Sequence, residues 1–423
     1  MKSGRRLNPT RREFLGYSAA LTAGLAGGPV SSATAAPGSP VRLGVIGCGR
    51  RGLPPAAALS LREDAQVMAV SDVFAPHLER AVLVTGAAPH RDWRDLVGRD
   101  DVDAVLIAAP DHLHATMAVA AMRAGKDVYC EPPMGLTVSD AKAFRDTAVE
   151  TGRVVQIGAR QTAETRWRAA GEIVRRGEIG ELVWSQPAYT RFGAEPHALE
   201  STPTPNSLDW AGFLGGAPER PFDPVRFANW RCFWDYSGGP ATDAFFRQLA
   251  PLLVATETGF PERVAAAGGI YDEQAFEVPD CLVMTLEYAG GHTVVLASTS
   301  GAAPCAQERG TFPSRAASLD DQHAEPAVIR GRDGCIECEP DRIVVRFEPA
   351  VGRGPVEIPL ARSGSLMDNW LECVRTRRPC VCGEQLGFRT TAAVLMGVRA
   401  YRERTSFSWD GDREDMVPSP RRA

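Results

Sequence analysis

The chain has 423 residues, 44% hydrophobic and 23% charged. That composition excludes wholesale disorder, a disulfide scaffold and a polytopic membrane protein, and the length calls for two domains. Net charge is −5, and because residues 1–36 carry Lys2, Arg5, Arg6, Arg11 and Arg12 against Glu13 alone, the remainder stands at −9; such a body does not seek nucleic acid or anionic lipid.

Thr10-Arg11-Arg12-Glu13-Phe14-Leu15 is a twin-arginine motif, followed by a weakly apolar run over residues 17–25 and a small-residue site at Ala33-Thr34-Ala35. Residues 1–36 are therefore expected to be a removed export signal, with the mature protein periplasmic or extracellular. The run is too short and too rich in Gly and Ala to span a bilayer, so no stable membrane span is expected after removal. Twin-arginine export moves folded proteins, which suits a protein that takes up its cofactor before leaving the cytosol. Of ten cysteines, the close pairs Cys335/Cys338 and Cys380/Cys382 lack histidines at zinc spacing; no metal is expected, and buried thiols or one or two disulfides are the default.

Residues 41–47 read as a buried strand entering Gly47-Cys48-Gly49-Arg50-Arg51-Gly52, with an Ala-rich helical stretch to Leu61. In this pattern Gly47 permits a tight turn, Gly49 lets backbone approach a pyrophosphate, and Gly52 allows close helix packing, with the helix N-terminus aimed at negative charge. A second strand, 67–71, ends at Asp72, twenty residues beyond Gly52, where a carboxylate accepts from ribose hydroxyls. This predicts a bound dinucleotide, NAD above NADP, since Asp72 repels a 2′-phosphate. A strand over 102–108 then ends in Ala109-Pro110-Asp111-His112-Leu113-His114, a helix runs to Ala124, and a strand covers 127–130. Loops at strand carboxyl ends form the ligand crevice of such a sheet, so His112 and His114 are placed either beside a nicotinamide or as caps of the following helix.

The glycine loop, Asp72, residues 110–114 and residues 125–133 together resemble the Gfo/Idh/MocA family, named for glucose-fructose oxidoreductase and inositol dehydrogenase. Residues 231–239, Thr242-Asp243 and residues 367–374 extend the likeness over nearly everything after the signal. The resemblance implies an α/β protein: a doubly wound Rossmann domain over 37–160, and a C-terminal α/β domain over 161–405 with a large, open, mostly antiparallel sheet that serves as a homo-oligomer interface. A tail would follow over 406–423. Strands over 182–189, 281–288, 293–298 and 342–347 and helices over 366–375 and 386–402 are consistent with it. It further implies that Gly47, Gly49, Arg51, Gly52, Asp72, Pro110, His112, His114, Glu131 and Pro132 hold the cofactor, and that a sugar-like small molecule is the substrate. The proline-rich stretch 194–224 lies near the expected substrate mouth, where Trp210, Trp230 and Trp234 either stack on a sugar ring or pack internally.

The catalytic pattern departs from the family's. Glu131-Pro132-Pro133 stands where relatives carry Glu-Lys-Pro, Arg247 occupies the position of a histidine four residues after Asp243, Ala250 replaces an aspartate, and residues 393–398 hold no histidine. Only Lys2, Lys126 and Lys142 are lysine, with Lys126 at the wrong end of its strand and Lys142 well into the next helix, so neither substitutes. A positioned base contributes roughly 10² to 10⁴ in rate, and an arginine cannot be one near neutrality. Candidates for rescue are His112, His114, Asp243, Tyr236 and His197, with His114, Asp243 and Arg247 the expected catalytic set. In that set Arg247 binds an anionic group or stabilises an alkoxide or enolate. Three functions follow: an exported NAD(P)-dependent oxidoreductase of a sugar, glycoside or polyol with a non-standard acid/base set; a catalytically degenerate nucleotide- or carbohydrate-binding partner subunit; and NAD-assisted elimination or glycoside cleavage.

Overall fold

A computed structural model describes residues 39–187, 190–191, 201–271, 275–299 and 327–420. The twin-arginine motif, His197 and the end of the strand expected over 182–189 lie outside these residues.

The first domain alternates strand and helix: β1 (Val41–Ile46), α1 (Leu53–Ser60), β2 (Ala65–Ser71), α2 (Ala75–Thr85), β3 (Ala88–His90), α3 (Trp93–Val97), β4 (Ala104–Ile107), α4 (His114–Arg123), β5 (Asp127–Cys130), α5 (Val138–Thr151) and β6 (Val155–Ile157). Its six strands lie in the order β3-β2-β1-β4-β5-β6, every pairing parallel. Ala-Val-Leu-Ile of β4 is buried throughout, as a parallel strand covered on both faces requires. Chain order reverses between β1 and β4, which opens the crevice at their carboxyl ends. β4 is shorter than the expected 102–108 strand because the Val102 carbonyl, with that of Arg99, accepts from Lys126 Nζ at 2.8 and 2.6 Å. Lys126 is thus a tether at the floor of the sheet, remote from the crevice.

The second domain comprises α6 (Thr165–Arg175), β7 (Leu182–Gln186), β8 (Thr190–Arg191), α7 (Trp210–Leu214), α8 (Pro224–Ala228), α9 (Phe246–Thr256), β9 (Arg263–Gly269), β10 (Cys281–Glu287), β11 (Thr293–Thr299), β12 (Ala327–Gly331), β13 (Gly334–Cys338), β14 (Arg342–Phe347), β15 (Val356–Pro359), α10 (Leu366–Thr376), α11 (Glu384–Glu403), β16 (Phe407–Asp410) and β17 (Asp415–Pro418). The sheet runs β15-β14-β13-β12-β7-β11-β10-β9-β16-β17, with β8 on β11. It is antiparallel apart from β11 against β7 and β8. Alternation on β10 and β11 buries Leu282, Met284, Leu286, Val294 and Leu296 under the helices, and leaves the other face partly open, with Val183 and Val283 exposed.

Two expectations are corrected. Residues 407–418 are no tail: β16 and β17 form a hairpin that pairs with β9, buries Phe407, and stacks Trp409 on Phe260 at 4.2 Å. The helix expected as a closing element of the second domain, α10, packs instead on the first. Its Leu366, Trp370, Leu371 and Val374 join Val41, Leu43 and Val45 in one core, Trp370 meets Tyr129 edge-on at 5.5 Å, and Arg62 pairs with Asp368. α11 then serves both domains, with Arg145 of α5 lying over Phe388 while holding Glu414 of the hairpin.

Candidate active site

The glycine loop is shaped by backbone crowding. Gly47 sits at φ +85, its amide donating to the Ser71 carbonyl at 2.8 Å, and a Cβ there would stand 2.6 Å from the Ala108 carbonyl. A Cβ on Gly52 would fall 1.7 Å from the Gly47 oxygen. Helix α1 therefore starts against the turn with no side-chain cap and no acidic residue in its first turn, an end suited to an anion. Pro54 and Pro55 contribute no N–H to that end, so a pyrophosphate would draw on loop amides, and those of Gly49 and Arg51 donate to no backbone carbonyl among the described residues.

Asp72 caps the loop: its carboxylate accepts from the Cys48 amide at 2.7 Å and the Phe74 amide at 2.8 Å, with His77 Nδ1 at 3.5 Å. Each carboxylate oxygen retains acceptor capacity for a ribose hydroxyl. The cradle fits an adenine dinucleotide: Gly47 makes the tight turn, Gly52 the close approach of helix to turn, and Asp72 closes the loop. Its rim comes from the second domain, where Ala75 N donates to Ser207 O and Asp209 N to Val73 O, at 2.8 and 2.9 Å.

The histidines do not serve as expected. His114 is 1% exposed, with Nδ1 2.8 Å from the Pro133 carbonyl and Nε2 2.7 Å from that of Ala109. Both ring nitrogens are engaged by backbone carbonyls, which leaves neither free for a substrate proton; His114 fastens the loop after β4 to the Pro132-Pro133 loop. Exchange for glutamine should cost about 1–3 kcal/mol in urea denaturation and leave the pH profile of turnover unchanged, whereas a catalytic imidazole would take one limb of that profile with it. His112 Nε2 lies 2.9 Å from the Phe213 carbonyl, and its ring is enclosed by Phe213 and Tyr236. Burial pulls the His112 imidazole down to about 4, so it is neutral near pH 7 and fills the joint between domains. Pro110 precedes this joint in extended conformation.

What converges on the crevice is a set of arginines and carboxylates. Asp243 lies in a π-helical turn, Ala241–Phe245, that leads into α9, and Arg247 stands one turn further along. Arg247 Nη1 donates to the Asp243 carboxylate and, at 2.6 Å, to its carbonyl; Nη2 donates to Glu131 Oε2 at 3.2 Å. Tyr129 donates to the other Glu131 oxygen at 3.3 Å, and Arg231 Nε lies 3.8 Å from Asp243 Oδ1. Burial by itself would raise the Asp243 carboxyl, but Arg247, Arg231 and Arg51 outweigh it and hold it well below the usual carboxylate range. Burial would likewise lower Arg247, and Asp243 and Glu131 outweigh that and hold it charged. Arg51 reaches into the same field: burial and the nearby Arg247 pull it down, and Asp243 and Glu131 pull it up.

Asp111 is a residue that sequence reasoning quoted without a role. It is buried and accepts from Ser237 Oγ at 2.9 Å and Thr242 Oγ1 at 2.8 Å, joining the β4 loop to both second-domain motifs; burial raises its carboxyl, and His114, Arg231 and the Thr242 bond oppose that. Partners 126 and 131 residues away leave no local signal. The tryptophans are partly buried against the core: Trp210 stacks on Phe213, donates to the Arg220 carbonyl and lines a cavity with Leu214 and Pro221, Arg231 covers Trp230, and Arg402 covers Trp234. Among the described residues no three His, Cys, Asp or Glu side chains are grouped to hold a metal, nine cysteines are free thiols, and no helix is long and apolar enough to cross a membrane.

A 3-2-1-4-5-6 parallel sheet with this glycine loop and capping aspartate, closed by an α/β domain that supplies charged groups to the crevice, defines the class of nicotinamide-dependent oxidoreductases. Residues 41–159 match the family model described as the oxidoreductase family, NAD-binding Rossmann fold, and residues 188–307 match the oxidoreductase family, C-terminal alpha/beta domain. The chain belongs to the Gfo/Idh/MocA oxidoreductase family, and its first domain is an NAD-binding domain. It is 33% identical over 241 residues to a glycosyl hydrolase family 109 protein of Stenotrophomonas maltophilia, covering 52% of this chain and 49% of that one. It is 33% identical over 144 residues to an inositol 2-dehydrogenase of Klebsiella pneumoniae, covering 33% and 43%. The chain thus spans about half the length of the curated relatives it matches. The same fold occurs in the WlbA dehydrogenase from Bordetella pertussis, solved with NADH and UDP-GlcNAcA, at TM-score 0.63 and 19% identity over 90% of this chain and all of that one.

Proposed function

We propose that this protein is an NAD-dependent oxidoreductase acting on a sugar, glycoside or polyol. The observation that carries the reading is the meeting of two sets of groups in one crevice: a dinucleotide cradle from β1 and β2, and Glu131, Asp243 and Arg247 at its substrate end. NAD held by Gly47, Gly49, Gly52 and Asp72 would supply the hydride acceptor for the carbinol carbon. The hydroxyl proton must go to the protein, and Glu131 is the acceptor that the geometry favours: His114 is engaged on both nitrogens, His112 is enclosed between aromatic rings, and Asp243 is gripped by Arg247 with Arg231 at its side. Arg247, fixed by both carboxylates, supplies positive charge to the alkoxide that develops. Removal of residues 1–36 by the twin-arginine route, and a homo-oligomer through the open sheet face bearing Val183 and Val283, complete the proposal.

The test is NADH fluorescence on binding, followed by NADH production across a panel of sugars, inositols and sugar acids. Nucleotide binding with turnover that Glu131→Gln lowers at least about 10²-fold supports the reading. Failure of the mature protein to hold or take up any nicotinamide dinucleotide overturns it. A second reading, a binding subunit without turnover, draws on the same clamp, since arginine occupies both crevice carboxylates; bound nucleotide with no NADH from any panel member would select it. Sugar release without net NADH would select the elimination chemistry, which the relatives named glycosyl hydrolase family 109 proteins favour.

A further inference from the structure

Glu131 directly follows β5, and the sheet gives its carboxylate two neighbours besides Arg247. Tyr129 lies two residues earlier, so its side chain leaves the same face of the sheet, and its hydroxyl donates to Glu131 Oε1 at 3.3 Å. On the adjacent strand, Gly158 follows β6 and its amide donates to the Cys130 carbonyl at 2.7 Å, which sets it beside Glu131. A Cβ on Gly158 would stand 2.7 Å from Glu131 Oε1, 3.1 Å from Glu131 Cδ and 2.9 Å from the Tyr129 hydroxyl oxygen. The carboxylate and the phenol thus meet in the space that any side chain at position 158 would fill. Glu131 Oε2 is left to Arg247 at 3.2 Å. Behind the phenol, the fully buried Trp370 of α10 meets the Tyr129 ring edge-on at 5.5 Å.

Tyr129 is a fixed donor and not a proton shuttle. Burial first, and the Glu131 charge after it, push its hydroxyl well above the usual phenol range, so it keeps its proton near neutrality. A carboxylate oxygen has two acceptor positions, so donation by Tyr129 on one side and Arg247 on the other leaves one position on each oxygen for a substrate hydroxyl. A carboxylate held at both oxygens cannot turn away from that hydroxyl, and a misplacement of about 1 Å at a reacting group costs about 10² in rate. We propose, resting on the oxidoreductase reading above, that Tyr129 and Gly158 are the positioning residues of Glu131: the phenol holds Oε1 by donation, and the missing side chain gives the carboxylate its place. Trp370 braces the phenol, which connects α10 with the reacting end of the crevice.

The experiment measures kcat, KM and the pH dependence of kcat/KM for the native protein, Tyr129→Phe, Gly158→Ala and the double variant, on the panel member of highest turnover. NADH fluorescence reports the nucleotide separately, and circular dichroism the fold. Tyr129→Phe keeps the ring against Trp370 and removes only the donor. The methyl of Gly158→Ala meets side-chain ends, which can yield, so it displaces the carboxylate without unfolding the strand; should Tyr129→Phe not fold, this variant decides alone. Each single change should lower kcat about tenfold or more, with KM and NADH affinity within about twofold, and the double variant should fall little further because both changes undo one contact. Tyr129→Phe should also move the acid limb of kcat/KM to higher pH, since the lost bond favours the ionised carboxylate. A merely structural tyrosine would leave that limb in place. Arg247, Arg51 and the Cys130 thiol, which also bear on Glu131, are the same in every variant. Native kcat in Gly158→Ala, or an unmoved limb in Tyr129→Phe, overturns the proposal. In protein that makes no NADH, infrared difference spectra against Glu131→Gln decide it: the protonated carboxyl band of Glu131 should appear at higher pH in Tyr129→Phe, and an unmoved band overturns it. Turnover that Glu131→Gln lowers and both variants spare keeps the oxidoreductase reading and removes this one, whereas a moved band without turnover does the reverse.

Discussion

Alanine at position 52 is expected to abolish NADH binding and to lower stability by about 3 kcal/mol, the upper end of what overpacking costs. The added methyl would lie 1.7 Å from the Gly47 oxygen and 2.9 Å from its carbonyl carbon, and both are backbone, so no side chain can swing aside. Relief requires α1 to withdraw from the turn, which takes the Gly49 and Arg51 amides and the helix N-terminus away from the place where a pyrophosphate would meet them. Gly216 is the control, because a Cβ there meets nothing within 4 Å; Gly216→Ala should stay within about 0.5 kcal/mol. Urea denaturation and NADH fluorescence on the two variants decide the matter. Retained nucleotide affinity in Gly52→Ala would show that the loop does not grip the cofactor through this approach of helix to turn.

The first domain was legible because its signals are local. Continuous apolar strands, a glycine turn and a terminal aspartate lie within a few tens of residues of one another, and β5 and β14 fall on the expected residues. Partners distant in the chain left no such trace. Arg375 reaches Asp64 across 311 residues and Arg377 reaches Asp127 across 250, so nothing near residue 370 announces that α10 belongs to the first core. The hairpin of β16 and β17 was missed for a related reason: Phe-Ser-Trp-Asp is too short to declare a strand before β9 is known to lie beside it.

At the site, the resemblance singles out Pro132 and Arg247 as expected departures from the family pattern, but pairing of Arg247 with Glu131 depends on how two domains meet, and the approach of Arg231 depends on a turn after α8. His112 and His114 illustrate the converse. Their place at a strand's carboxyl end is where catalytic groups gather, and only the carbonyls of Ala109, Pro133 and Phe213 show that these rings are structural.

Arg247→Met should be the most damaging change in the crevice. The arginine is the shared partner of two carboxylates, and removing one member of a buried ion pair costs about 3–5 kcal/mol, because the remaining charges stay desolvated and unpaired. Asp243 would keep only Arg231 at 3.8 Å and the field of Arg51. An exposed pair provides the contrast: Arg175 and Glu257 are each 55% exposed, and Arg175→Met should lose no more than about 1 kcal/mol. The pH dependence carries the mechanism. In the native protein the Asp243 carboxyl is held below its unfolded value of about 3.9, so its contribution is fully present above that pH and is lost as pH falls through the lower folded value. The gap between native protein and Arg247→Met should therefore be widest near pH 7 and narrow below about pH 4, where the orphaned Asp243 takes up a proton. Urea titrations at pH 7 and pH 3.5 measure that gap directly. An equal deficit at both would mean that the methionine disturbs packing alone, and that the guanidinium is not what holds Asp243 charged.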